Sequence, residues 1–143
     1  MIVADINLLV YAYRPESDRH ELAAAWLATT LSGTEEVGLL DVVLGGFLRI
    51  VTNSKIFADP APANHALSFV EALAAASKAR WVPSTPAIWR TLRELIDHDS
   101  RLHGNMIPDT LLAAITIAHG ARLATCDRGF ARFPGLRWFD PLN

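Results

Sequence analysis

Three aspartates in this 143-residue chain stand where carboxylates can do chemistry. Asp5 follows the apolar run Ile2-Val3-Ala4, and Asp127 follows Leu123-Ala124-Thr125-Cys126. Asp109 lies in the first turn of a helix that leads into the second of these runs. As parallel strands of one sheet, the two runs would deliver Asp5 and Asp127 to its carboxyl edge, where open α/β sheets bind ligands. Three carboxylates sharing a small space repel one another at neutral pH unless a cation or bound protons intervene. The simplest resident is a hard divalent cation. Mg2+ takes carboxylate oxygens, keeps several waters, polarises phosphoryl oxygens and lowers the pKa of an attacking water. Each acid also has a plain structural use: Asp5 as a helix cap, Asp109 as a complement to a helix dipole, Asp127 as a turn residue before Arg128-Gly129.

The elements that must position these acids follow from apolar periodicity and from Gly and Pro punctuation. Ile2 to Ala4 reads as a strand, and Asn7 to Tyr13 as a brief helix stopped before Pro15. Between Asp18 and Leu31, the pairs Leu22/Ala23, Trp26/Leu27 and Thr30/Leu31 describe one apolar helical face. Glu36 to Leu40 is a second strand, after which Asp41 is positioned to cap a helix through about Val51. A loop from Thr52 to Pro62 precedes a helical stripe that extends to about Ala79, and a strand is expected at Arg80 to Val82. Thr85-Pro86 opens the next helix. The last helix is entered at Pro108 and stops at Gly120, suited to a left-handed cap. Arg122 to Thr125 is strand-like, Asp127 to Phe133 a short helix or turn, and Leu136 to Phe139 an edge strand. Alternating strands and helices predict an α/β fold, a single domain over residues 1–143 with a central, mostly parallel sheet of four to five short strands and helices on both faces.

Composition narrows the function classes. Hydrophobic residues make up 51% and charged residues 20%, the profile of a folding domain rather than a disordered chain. The stretch from Val37 to Val51 is broken by Asp41 and Arg49, too short for a membrane span, which needs roughly 18 apolar residues. Nothing among Met1 to Ala4 resembles an export signal, so a cytoplasmic protein is expected. The lone Cys126 builds no zinc site, the histidines share no ligand spacing, and no nucleophile elbow or phosphate-binding glycine loop is present. Net charge is −2. That balance argues against tight nucleic-acid binding by phosphate neutralisation alone.

The order and spacing of Asp5-Ile6-Asn7, Gly46-Phe47-Leu48-Arg49, Ile107-Pro108-Asp109-Thr110 and Thr125-Cys126-Asp127-Arg128-Gly129 resemble the PIN-domain superfamily across essentially the whole chain. Within it, the likeness is to VapC-type toxins of bacterial toxin–antitoxin pairs. The resemblance implies a Mg2+- or Mn2+-dependent endoribonuclease, checked by a cognate antitoxin protein and homodimeric. By the same resemblance, Asp5, Asp109 and Asp127 are the metal-binding acids, with Asn7 and Thr125 as polar helpers. Asn105, four residues before Asp109, is either an orienter of water or a turn residue. Two positions depart from the pattern: its second acid falls on Gly46, and an acid often found two residues after Asp127 is Gly129. Asp41 is the nearest carboxylate that can reach the gap, although capping the helix competes for it. The alternative these departures raise is a catalytically impaired module that binds RNA or an antitoxin. A groove beside Leu8 to Tyr13 and Trp26 would suit a partner helix.

Overall fold

The computed structural model describes all of residues 1–143. Its strands are very short: β1 (Ile2–Ala4), β2 (Val37–Leu39), β3 (Ala79–Trp81), β4 (Arg122–Ala124) and β5 (Trp138–Phe139). They form one sheet in the order β3-β2-β1-β4-β5. Every pairing is parallel, with Ile2 opposite both Val37 and Arg122. The central strands are buried on both faces, which is why Ile2-Val3-Ala4 carries no polar alternation.

The helices are α1 (Ile6–Tyr13), α2 (His20–Leu31), α3 (Asp41–Val51), α4 (Ala63–Ala74), α5 (Pro86–His98) and α6 (Ile107–Ala118). Strand progress from β1 to β2 to β3 runs one way across the sheet, and then the chain returns to β4 on the far side of β1. With right-handed crossovers, this reversal sends α1 to α4 to one face and α5 and α6 to the other. Side chains agree: Ala4, Val37 and Leu39 line one small cavity with Leu9, Leu27, Val43 and Leu73 from α1, α2, α3 and α4. The reversal also makes the crevice between the carboxyl ends of β1 and β4 a topological switch point.

Several boundaries differ from those expected. The helical stripe after the Thr52 to Pro62 loop ends at Ala74 rather than about Ala79, because Leu73 is its last buried residue. Ala75 and Ala76 then donate to Glu71 and Leu73 carbonyls at 3.0 and 3.2 Å, closing the helix. Strand β3 consequently starts one residue earlier than predicted. Asp41 does not cap α3. The chain leaves β2 with a single residue to spare, so the cap position falls on buried Leu40, and Asp41 becomes the first helical residue with no side-chain cap hydrogen bond. The C-terminus of α6 is as predicted: Gly120 has φ +61, and Gly120 and Ala121 donate to the Ile117 and Thr116 carbonyls, both at 2.9 Å.

The end of the sheet away from the acids is tied by Glu35, which accepts from the Met1 amino group at 3.1 Å and from the Arg122 guanidinium at 2.7 Å. Beneath α3, the fully buried Phe47 ring packs on Tyr13 and Phe69, with centroids 5.4 and 5.2 Å apart. This contact joins α1, α3 and α4 below the cleft described next. Phe47→Ala is expected to cost about 3–5 kcal/mol, read as a lower urea midpoint with an unchanged slope.

Candidate functional site

Asp5 is the first residue after β1 and is 6% exposed. Its Oδ1 accepts the Ile6 backbone N–H at 2.7 Å, starting α1, while Oδ2 accepts the Thr125 hydroxyl at 2.8 Å. Capping and a place in the crevice are therefore compatible uses of one side chain. Thr125, fully buried just past β4, is fixed in turn: its Oγ1 accepts the Asp127 N–H at 3.0 Å and so must send its proton to Asp5. This chain of bonds couples the ends of the two central strands. Asp127 is exposed, and its Oδ1 accepts the Gly129 N–H at 2.7 Å, ordering the short turn Arg128–Arg132. A Cβ at Gly129 would stand 2.9 Å from that same oxygen, so a side chain there would push the Asp127 carboxylate aside.

Asp109 enters from the other side, on the first turn of α6. That turn is fastened by the buried Thr110 hydroxyl, which donates to the Met106 carbonyl at 2.7 Å. Half-buried, the Asp109 carboxylate accepts no hydrogen bond from the protein and lines a cleft of about 480 Å3 together with Asp5, Asp41, Gly46 and Arg49.

The three acids lie within one another's fields. Burial pushes the Asp5 carboxyl above the usual 3.8, and repulsion from Asp109 and Asp127 adds to it, against the two hydrogen bonds that favour its charge. Burial likewise raises Asp109, with further repulsion from Asp127 and a countering attraction from Arg132. All the donors are hard carboxylate oxygens, the set that suits Mg2+ or Mn2+. They stand as a convergent group rather than a closed ring, since no three Asp, Glu, His or Cys side chains are near enough to enclose an ion.

Asp41 lines the same cleft from the first turn of α3. Gly46 lies at its wall, where a Cβ would come 2.5 Å from Ile6 Cδ1, the mobile tip of a side chain. Asn7 and Asn105 are both exposed, and neither side chain hydrogen-bonds to the acids. Arg101 is held by Asp99, whose carboxyl it keeps down at about 2. Burial pushes the Cys126 thiol up, so it stays protonated, 3.3 Å from Asp140. Arg49 and Arg132 are site residues that the sequence did not single out. Arg49 could have been found from its spacing, four and eight positions after Gly45 and Asp41 on one helical face.

A parallel sheet with acids gathered at the β1–β4 switch point defines an α/β domain with a carboxylate-lined site. The PIN domain family model matches residues 2–136, and the chain belongs to that family. It is 38% identical over 143 residues to ribonuclease VapC43 of Mycobacterium tuberculosis, covering 100% of this chain and 97% of that one. Among solved structures, VapBC2 from Rickettsia felis, bound to a DNA fragment from their promoter, matches with a TM-score of 0.68 at 22% identity, over 97% of this chain and 98% of that one. VapC20 of Mycobacterium tuberculosis, described as a Sarcin-Ricin loop cleaving toxin, matches at 0.61 and 18% identity, over 96% and 99%. These two likenesses are of fold.

Because the folded protein raises the pKa of Asp5 and Asp109, protonating them favours folding. That contribution is complete below the unfolded value of 3.8 and is lost as pH rises through the folded values. Glu16, Glu35, Asp99 and Asp140 are lowered instead, so they are ionised in both states above about pH 5. In EDTA, thermal stability should therefore climb as pH falls through the folded values of Asp5 and Asp109. The climb should shrink in the Asp5→Asn, Asp109→Asn double variant. An equal climb in that variant would assign it to other groups.

Proposed function

We propose that this chain is the ribonuclease toxin of a VapC-type toxin–antitoxin pair, an endoribonuclease that hydrolyses RNA phosphodiesters with Mg2+ or Mn2+. The observation that carries the reading is that Asp5 and Asp109 line one cleft at the β1–β4 crevice, with Asp127 close enough to repel both, in a chain 38% identical over its length to a VapC ribonuclease. In this reading Asp5, Asp109 and Asp127 hold the ion. A divalent cation bound there supplies positive charge for the scissile phosphate and acidifies water for in-line attack.

The protein's own contribution is placement. The Thr125 hydroxyl and Ile6 N–H hold the Asp5 carboxylate in one orientation, as outer partners of a ligand do. Their hydrogen bonds favour the ionised form that a cation needs. The Gly129 N–H orients one oxygen of Asp127. Asp109, unbonded, completes the set by rotating its side chain.

An antitoxin partner is supported by a groove of about 240 Å3 lined only by apolar side chains, among them Leu27, Leu31, Phe69 and Leu73 of α2 and α4. Such a surface accepts the apolar face of an amphipathic helix. No helix of the chain is long and apolar enough to cross a membrane.

Asp5→Asn, Asp109→Asn and Asp127→Asn should each reduce Mg2+-dependent cleavage of an RNA pool by about a hundredfold or more. Full activity of purified Asp5→Asn would overturn the assignment. Sequencing RNA 5′ ends after controlled expression would identify the target at the same time. Gly46→Glu should tighten Mg2+ binding in calorimetry, because Ile6 Cδ1 can move aside to admit a fourth carboxylate. Unchanged affinity would show that the gap at Gly46 does not limit the site.

A further inference from the structure

We propose that Arg49 is a substrate-binding residue that takes a phosphate of the RNA chain inside the acidic cleft, across the bare helix surface left by Gly45. The inference rests on the ribonuclease reading and deepens it. Most arginines of this chain are engaged: Arg80, Arg93, Arg101 and Arg122 sit in ion pairs, and Arg132 donates to the Gly129 carbonyl at 2.8 Å. Arg49 has neither an ion pair nor a hydrogen bond, and it alone among the arginines lines the cleft with Asp5, Asp41 and Asp109.

An unpaired guanidinium beside three carboxylates calls for an explanation. No ion pair joins Arg49 to Asp5 or Asp109, although all three line the cleft. Asp41 stands two turns away along α3, a rise of about 12 Å, beyond ion-pair reach along the helix. Between them Gly45 has nothing within 4 Å of where a Cβ would be, so the surface is open. Every other charged side chain that lines this cleft is an aspartate. Arginine is the side chain suited to the task, since its planar fork binds two phosphate oxygens at once. The structural alternative is that Arg49 merely complements the dipole at the end of α3, near Val51. In that case RNA binding would not depend on it.

The test is fluorescence anisotropy of a short, mixed-sequence, fluorescein-labelled RNA, with Ca2+ replacing Mg2+, alongside KM and kcat for cleavage in Mg2+. Arg49→Ala should weaken binding about tenfold and reduce the salt slope by about 0.7, with KM rising more than kcat falls. Arg49→Lys should lose less than Arg49→Ala, and Arg93→Ala, on the exposed face of α5, should bind as the unaltered protein does. Unchanged thermal melting of Arg49→Ala would separate lost binding from lost fold. Binding within about twofold of the unaltered protein, with the same salt slope, overturns the proposal, as does an unaltered protein that binds no RNA. Arg49-dependent binding without cleavage would uphold Arg49 and sink the ribonuclease reading. Cleavage with KM unmoved by Arg49→Ala would do the reverse.

Discussion

The hydrogen bond from the Thr125 hydroxyl to Asp5 is the interaction on which the site depends. It crosses from the end of β4 to the end of β1, at the place where the order of the sheet reverses. A buried carboxylate is costly unless hydrogen-bonded. Asp5 meets that requirement with two donors and still presents its charge to the cleft. The strands that set this geometry are three residues long, so it depends on the helices packed against them. The Phe47, Tyr13 and Phe69 rings and the Glu35 clamp at the other end of the sheet keep β1 from shifting relative to its neighbours.

Electrostatic strain and function are two aspects of one arrangement here. Packing Asp5 and Asp109 into shared, partly dry space raises both pKa values and lowers the stability of the ionised fold. The same repulsion is relieved by whatever positive charge enters the cleft. The net charge of −2 thus says less about RNA than where the acids lie. A local reversal of sign by a cation outweighs the average of the surface.

Much of this was legible in the sequence because the strongest signals are local. The short apolar runs ended by Asp5 and Asp127, the Thr85-Pro86 helix start and the Gly120 stop all depend on chain chemistry within a few residues. Asp41 was legible as a carboxylate able to reach the cleft, but the competing cap role was not settled by sequence, since it turns on whether Leu40 or Asp41 takes the cap, a matter of one residue in how β2 ends. The end of α4 was misplaced because an alanine-rich run favours helix whether or not it has a core to pack on. Arg49 could be placed on the cleft face of α3 by its spacing, but not given a role. An arginine is informative only when its partners are known, and the lack of any partner appears only in three dimensions.

The space above Gly46, filled by nothing more rigid than the tip of Ile6, also bears on how such a chain changes over generations. The codons GGA and GGG for glycine become the glutamate codons GAA and GAG through one base substitution. Where the gene carries either, the acid missing from the cleft is a single replication error away, and its arrival needs only an isoleucine rotamer to yield. A fourth carboxylate can thus enter the cleft within one mutational step, without rebuilding the sheet or the helices around it.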